Sequence, residues 1–402
     1  MRRSAAALLS LILVCASAAP ARADTANADA AAVDADGALD ADAVDADAVD
    51  ADDAEAASER PAAGPAADAP GAGGPGRTPD VLPQWGRGPF EVRDPFVLAM
   101  LRLSPWARSP EVLGHLDVQF GLRTVWANHY AFARDRLVID AETREAALSL
   151  RVGLFDRVEL GVWVPYLWRG GGVMDSFVEG FHDTFSLPGA NRDRRPRDRY
   201  RVAGIESDGS AFELEHSGYG LGDVVLEGRA LLSEGGALAP AAALTVRLRL
   251  PTARAKFDHS DGVDASVGLD LSKRLGEGPV VLYAGGAYTY AAEARVEDLE
   301  LLRHRAFFYV GAEWELVGGV SLVAHAWVES RRERELFDDP APPGVGEADL
   351  TFGNYVTYIA GGFKVEPISG LLLELGIIEN LIDPETTADF GVLLNVVWEP
   401  FS

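Results

Sequence analysis

Apolar and polar residues alternate along most of the chain after residue 115. The clearest example closes the chain, where the apolar positions 390, 392, 394, 396 and 398 are separated by mostly polar or small residues. A period of two indicates a β-strand with one apolar and one polar face. Twelve stretches show this pattern: 116–126, 148–154, 158–168, 224–232, 244–250, 263–271, 280–290, 308–316, 320–328, 355–365, 371–380 and 390–398.

The links between these stretches are alternately short and long. The short links are 155–157, 234–237, 276–279, 317–319 and 366–370, and the opposite ones are 128–142, 169–221, 251–262, 291–303, 331–352 and the brief 383–386. Short turns at one end and long loops at the other are typical of outer-membrane barrels, which satisfy every backbone group in lipid. We therefore predict an all-β fold: a transmembrane, antiparallel, up-and-down β-barrel of about twelve strands over residues 113–402, with long outward loops, of which 169–221 is the longest, and short periplasmic turns. A secreted β-sandwich is the alternative.

The polar strand faces would point into the lumen of such a barrel. The predicted lumen-facing side chains are Arg123, Arg151, Glu227, Arg229, Arg247, Arg249, Glu313 and Glu315, together with Asp223 and Glu374. A barrel of twelve strands lies between the filled eight-stranded and the open sixteen-stranded types. Two interpretations therefore stay open, namely structural ion-pair ladders and the wall of a polar channel.

The first 112 residues have a different character. Arg2 and Arg3, an apolar run and Ala21-Arg22-Ala23 form the layout of a cleaved secretory signal over residues 1–23. Val14 is bulkier than the residue that normally precedes a lipidated cysteine, which disfavours a lipoprotein. Residues 24–80 consist almost entirely of Ala, Asp, Gly and Pro and are predicted to be a disordered acidic tail in the periplasm. Residues 81–112 are predicted to be a periplasmic segment.

Charge and cysteine content exclude several classes of function. The net charge of −26 makes nucleic acid an unsuitable partner. The only cysteine lies within the predicted signal, so the mature chain would have neither disulfides nor thiol chemistry. We predict no cofactor, no metal site and no catalytic residues.

The stretch RGGGVMDSFVEGFHDTFSLPG, residues 169–189, contains the residue types of an active site. No G-K-[ST] follows the glycines, and the E-x-x-H spacing occurs only once, so neither a phosphate loop nor a di-iron site is complete. Residues 173–186 instead have the period of an amphipathic helix. The helix could narrow the barrel mouth or contact a ligand, dock its phenylalanines on the rim or on acyl chains, or simply hold the loop in place. Its candidate residues, with those that follow, are Arg169, Gly170, Gly171, Gly172, Asp175, Glu179, His182, Arg192, Pro196 and Arg199.

Arginines are concentrated just after this helix, between residues 192 and 201. At an outer surface they could bind the phosphates of lipopolysaccharide or anionic solutes. Pairing with the carboxylates of the same loop is an equally good explanation.

Two elements in residues 85–201 carry a resemblance to a known family. The first is GPFEVRDP, with Asp94 where Asn is more usual. The second is the RGGG stretch with its Asp, Glu, aromatic-His pair, Leu-Pro and spaced Arg and Pro, although Ser186 replaces a Gly and Phe181 a frequent Trp. On these residues the chain resembles a domain-of-unknown-function family of predicted Gram-negative outer-membrane barrels. The resemblance implies location and architecture, and no chemistry.

The preferred functional interpretation is a narrow, porin-like channel for small solutes in the bacterial outer membrane. The alternatives are a non-conducting structural or surface-interaction barrel and a barrel enzyme such as a lipid hydrolase, although no His-x-Ser or Ser-x-His pair shares a strand face. The expected partners are membrane lipid, lipopolysaccharide and, during insertion, the barrel-assembly machinery. We expect a monomer.

Overall fold

The computed structural model describes residues 86–133, 137–185, 196–205, 211–214, 217–254, 262–292, 295–296, 299–300, 302–317, 319–330, 355–380 and 388–400. The chain divides into two units, residues 1–75 and 76–402, and the first lies wholly outside the described residues. The signal over 1–23 and the acidic tail over 24–80 therefore stay predictions. None of the helices in the described ranges is long and apolar enough to cross a membrane.

Seventeen strands and one α-helix make up the described structure, together with a single 3-10 turn at Ala99–Leu101. The strands are β1 Val118–Ala133, β2 Leu137–Phe155, β3 Val158–Gly170, β4 Arg201–Ile205, β5 Ala211–Glu213, β6 Gly218–Leu221, β7 Val224–Ser233, β8 Ala241–Leu250, β9 Asp264–Arg274, β10 Val280–Ala291, β11 Arg295–Val296, β12 Leu299–Glu300, β13 His304–Glu315, β14 Val320–Ser330, β15 Tyr355–Ile368, β16 Leu371–Asn380 and β17 Phe390–Trp398. The helix, α1, spans Asp175–Phe185.

Twelve of these strands form a closed antiparallel barrel in the order β1-β2-β3-β7-β8-β9-β10-β13-β14-β15-β16-β17. Pairing of β17 with β1, from Phe120 opposite Trp398 to Asn128 opposite Phe390, closes the ring. The prediction of an all-β, antiparallel, up-and-down barrel of about twelve strands is confirmed. Short strands extend the wall: β4 pairs with β2, β5 with β4, and β6 with β3.

The two faces of the wall differ as the alternation predicts. Large apolar side chains such as Leu122, Leu148 and Leu394 are exposed on the outer face, whereas the side chains between them are buried on the lumen face. Connections at one end are short, as at residues 156–157 and 369–370. We call this the short-turn end and the opposite one the long-loop end.

The prediction of a loop over 128–142 is wrong for the described part of that range. Residues 128–133 continue β1 and residues 137–142 continue β2, in unbroken register with each other. The charged residues suggested a loop because they do not suit a lipid-facing strand. Here the long hairpin is covered by other parts of the protein, and Glu142 is fully buried.

The lumen is filled by residues 86–113, which we call the plug. Its ascending limb, 86–95, starts at the short-turn end, where Arg87 donates to Ser321 at 2.8 Å and Glu366 at 3.2 Å. The apex, 96–101, reaches the long-loop end and packs against Ala131 and Ile139.

The descending limb of the plug, 102–113, returns to the short-turn end. There the backbone N–H of Leu113 donates to Glu159 at 3.1 Å, just before the chain enters β1. The prediction that residues 81–112 are a periplasmic segment is therefore wrong for residues 86–112. The inward polar groups of the strands need partners, and the plug supplies them.

Candidate functional site: the plugged lumen and the outer-wall helix

The centre of the lumen holds a carboxylate surrounded by arginines. Glu91, on the ascending limb, lies 3.1 Å from Nε of Arg108, 2.7 Å from Nη2 of Arg123 and 2.5 Å from Nη2 of Arg151. Nη1 of Arg151 donates to the other carboxylate oxygen of Glu91 at 3.1 Å, which makes this pair bidentate. The arginines come from the descending limb, β1 and β2, so one side chain joins both limbs to the wall.

Arg108 continues the network to the next two strands. Its Nη1 contacts Glu159 of β3 at 2.8 Å and Glu227 of β7 at 2.6 Å. Glu227 also accepts from Nε of Arg247 at 2.7 Å. These charges are almost fully buried, so each relies on its partners and not on water.

Further charged contacts join the plug to the wall along its whole length. On the ascending limb Arg93 pairs with Glu145, and Lys364 donates to the carbonyl groups of Arg87 and Pro89 at 3.0 and 3.1 Å. On the descending limb the N–H of Leu103 donates to Asp264 at 3.0 Å. Ion pairs and hydrogen bonds thus attach the plug to the wall along both limbs.

Apolar contacts between plug and wall are concentrated in three places. In the largest cluster, Phe90 and Val92 of the ascending limb pack with wall residues such as Tyr358. The apex packs with β4 and β5 residues Val202 and Phe212 across the long-loop end. Lower down, the ring of Trp106 lies 4.7 Å from that of Trp163, and Arg247 lies 4.0 Å above Trp106. These contacts exclude water around the buried arginines and strengthen their ion pairs.

Of the ten residues predicted in the lumen, the eight that belong to β1, β2, β7, β8 and β13 are on the lumen face of their strands. Glu313 accepts from Tyr283 at 2.6 Å, Arg229 donates to the carbonyl of Glu111 at 2.6 Å, and Glu315 pairs with Arg274 at 2.7 Å. The others are in the networks described here: Arg123, Arg151, Glu227, Arg247 and Arg249, the last of which pairs with Asp223 and Asp264.

A polar cavity of about 350 Å³ lies at the short-turn end between the two limbs and the wall. Glu91, Arg108 and Arg123 line its inner part, and Glu366 and Glu399 are among the residues nearer its rim. The cavity brings solvent-accessible space to the edge of the arginine cluster.

Helix α1 lies on the outer face of the barrel and not in its mouth. Its residues Phe177 and Phe181 pack against Phe390, with ring centroids 5.5 and 4.8 Å apart. Phe390 shares a strand face with Leu394 and Trp398, which are exposed on the outside. The predicted constriction is therefore wrong, whereas docking of the phenylalanines on the rim describes the structure.

The glycine triplet allows the chain to approach the wall closely. Glu142, on the outer face of β2, accepts from the N–H of Val173 at 2.6 Å and from the N–H of Met174 ahead of α1. Gly172 has a φ of +69°, and a Cβ there would collide with the Glu142 carboxylate. Gly171 likewise lies against the backbone of Asp198. The triplet serves this turn, and Gly170 is the last residue of β3.

The acidic and histidine residues of the motif also have structural partners. Asp175 accepts from Nδ2 of Asn128 at 2.9 Å and from the N–H of Asp198 at 2.7 Å. Burial and the neighbouring Asp175 carboxylate raise the pKa of Asp198. Glu179 pairs with Arg197, and His182 lies 3.5 Å from Glu379 of β16. This matches the interpretation that the helix holds the loop in place.

The remaining motif residues are dispersed. Arg169 points into the lumen, buried, with its guanidinium 5.6 Å from the ring of Tyr200. Pro196 and Arg199 are exposed, and Arg192 lies outside the described residues. Within the described ranges, no group of three or more His, Cys, Asp or Glu residues could hold a metal ion.

The plug residues are what sequence reasoning missed. The sequence alone predicts a periplasmic segment for Glu91, Arg93 and Arg108, and their stretch has no strand period. A signal was present, since a segment rich in Phe, Trp and Arg next to a barrel with a charged lumen can supply the missing partners.

Several solved structures align with the chain at low sequence identity. A crystal structure of an outer-membrane channel from Pseudomonas putida F1 aligns with 13% identity, over 72% of this chain and 97% of that one, with a TM-score of 0.45. The transport unit of the autotransporter AIDA-I from Escherichia coli aligns with 9% identity, over 71% and 90%, with a TM-score of 0.38. No curated protein matches. The family model described as "Protein of unknown function (DUF3187)" matches residues 78–398, so the chain belongs to this family.

Proposed function

We propose that the protein is an outer-membrane barrel that its own plug closes, and that displacement of the plug opens a narrow channel for small polar solutes. The exposed apolar side chains of the outer face, such as Leu122 and Leu394, suit lipid. Export by the predicted signal, assembly by the barrel-assembly machinery and a monomeric state belong to the same proposal.

The observation that carries the proposal is the chemistry of the contact between plug and wall. Buried ion pairs are weak contributors to stability, because apolar residues of similar volume often stabilise a core as well or better. A barrel selected for stability alone would thus be better filled by apolar side chains. A charged contact has a different property: water and solute can replace each partner when the two surfaces separate.

The wall of the proposed open state has a charged part beside an apolar part that includes Phe307, Trp327 and Leu393. Without the plug, the charged part would be lined by groups such as Arg123, Arg151, Glu227 and Glu313, which water solvates readily. An entirely apolar lining would instead remain dry.

The test compares the full chain with a plug-deleted variant in planar bilayers. A Cβ on Gly88 would lie 3.1 Å from Cβ of Ser109, so the limbs are adjacent and residue 88 can be joined to residue 109 without stretching the chain. Deletion of 89–108 should convert a closed or rarely open barrel into one with steady, ohmic conductance. Gly180→Ala, on the outer helix with open space around it, is the matched control and should behave as the parent.

A second candidate, the non-conducting structural barrel, is favoured by the filled lumen. The same experiment separates the two. A deletion variant that folds, as judged by its heat-dependent gel mobility and β-sheet circular dichroism, yet stays silent at all voltages would exclude the channel.

An exposed Arg199 next to α1 further supports contact with lipopolysaccharide phosphates at the long-loop end.

A further inference from the structure

The carboxylate of Glu91 lies in a site that is formed by three arginine side chains. Arg108, Arg123 and Arg151 come from three different elements and converge on one point. Arg151 holds both oxygens of the carboxylate in its planar fork, which is the geometry with which arginine recognises carboxylates in general.

Positive charge is in excess around this point. The guanidinium groups of Arg108, Arg123, Arg151 and Arg247 are connected through three carboxylates, those of Glu91, Glu159 and Glu227. Withdrawal of Glu91 alone would leave four cations facing two anions. Buried charges of one sign without counter-charge are unfavourable, so a vacated site would attract an anion.

The aromatic surroundings hold the arginines in place when Glu91 leaves. Arg123 lies 5.1 Å from the ring of Trp163 and donates to Ser149 at 2.6 Å. Arg151 donates to Gln119 at 2.7 Å. These contacts are made by the wall itself, so two of the three arginines remain oriented without the plug.

The cavity at the short-turn end leads to this cluster. Arg108 and Arg123 line it, together with Glu91. Four of its other acidic residues have partners of their own: Glu374 pairs with Lys364 at 2.5 Å, and Glu366 with Arg87 at 3.2 Å. Glu399 accepts from Gln119 at 2.6 Å, and Glu159 is held by Arg108.

We propose that Arg108, Arg123 and Arg151 form a binding site for small carboxylate solutes, which Glu91 occupies as an internal competitor while the ascending limb is in place. This site would define small carboxylates as the solute class of the channel. The inference rests on the proposed displacement of the plug. A solute carboxylate would exchange with that of Glu91 in the fork of Arg151.

The test measures succinate binding to the refolded full chain in detergent by calorimetry at constant ionic strength. Glu91→Gln removes the internal competitor and should bind succinate at least about tenfold more tightly than the parent, since a charge-assisted hydrogen bond no longer has to be exchanged. Glu91→Asp, whose shorter side chain keeps the charge, should bind with intermediate affinity. Glu234→Gln, which changes an exposed carboxylate at the short-turn end that has no contact with the plug in the described structure, is the control and should match the parent.

Two further measurements make the outcome decisive. Adding Arg123→Met to Glu91→Gln should abolish the gain, and choline, a cation of similar size, should not bind. Equal succinate affinity in Glu91→Gln and the parent would overturn the proposal, as would a gain that survives Arg123→Met. Protein folding is checked by heat-dependent gel mobility. A rise in the unfolding temperature of Glu91→Gln with succinate is a second readout that does not depend on the heat of binding.

Failure of this site and failure of the channel give different results. Tight succinate binding by Glu91→Gln with silent bilayers for the 89–108 deletion would retain the site and exclude the channel. Conductance of the deletion without succinate binding by Glu91→Gln would retain the channel and exclude the site.

Discussion

Two non-strand segments pack against the same barrel wall from opposite sides, and they do so with different chemistry. Inside, the plug combines apolar clusters with a network of buried charges, as in the bonds from Arg108 to Glu159 and Glu227. Outside, the contact of α1 with the wall is centred on apolar side chains, as in the packing of Phe181 on Phe390, and buried ion-pair networks of the inner kind are replaced by single polar contacts such as that of Asp175 with Asn128. The wall itself is one continuous sheet, so the difference lies in which face of each strand is used.

The two kinds of contact differ in the free-energy cost of separating them. An apolar contact is lost only at the cost of exposing its area to water, about 25 cal/mol per Å². Ion pairs can instead be exchanged for water or for another ion at a smaller net cost. The outer helix is therefore built as a permanent attachment, whereas the plug has the chemistry of an exchangeable one.

The largest expected effect is on the inner contact. Arg108→Met would leave Glu159 and Glu227 without their closest shared partner, and breaking a buried pair on one side costs about 3–5 kcal/mol. We expect a lower free energy of unfolding in urea, followed by tryptophan fluorescence, and more frequent channel openings. Arg157→Met, which removes a solvent-exposed pair with Glu234, is the matched control and should cost less than about 1 kcal/mol. Equal losses in the two variants would show that the plug network is not a strong attachment.

The next effect concerns the outer contact alone. Val178→Ala removes two buried methyl groups between α1 and the wall and should weaken helix docking by about 2 kcal/mol. Limited proteolysis within residues 175–185 should accelerate, and conductance should stay at the parent level. Val173→Ala, at an exposed position, should change neither measurement. Channel opening by Val178→Ala would mean that the two segments are coupled through the wall.

The smallest effect is expected at the start of the helix. Glu142→Gln keeps one oxygen that can accept from the N–H groups of Val173 and Met174, but it removes the charge and the second oxygen, which accepts from Trp126. The loss should be about 1 kcal/mol, confined to the first turn of α1. Hydrogen exchange of the Val173 and Met174 amides should quicken, while amides deeper in β2 should not change. Faster exchange throughout β2 would contradict a purely local role.

The strands could be predicted because their signal is local. Alternation from Leu116 onward reports which side chain faces which way, without any knowledge of neighbours. It located all twelve barrel strands and the lumen positions of residues such as Arg247 and Glu313. The continuation of β1 over residues 128–133 and of β2 over residues 137–142 was not predicted, because the charged side chains there are covered by distant parts of the chain.

The helix was predicted in part. Its 3.6-residue period indicates an amphipathic element, and the structure has the helix α1 at this place. The side of the wall to which it docks depends on the register of β1, β16 and β17, which places Trp126, Ile377 and Phe390 on the outer face. No pattern among neighbouring residues in the sequence indicates how these strands pair.

By itself, the sequence determined the barrel: the number of strands, their two faces and the polarity of the lumen, because each follows from a repeat within about ten residues. Only the tertiary structure decided what fills that lumen. The partners of the plug lie far away in the chain, with Arg87 bonded to Glu366 across 279 positions. Such contacts form only when the barrel is closed. A segment without a periodic pattern gives no indication, in its own sequence, of the barrel residues that will surround it.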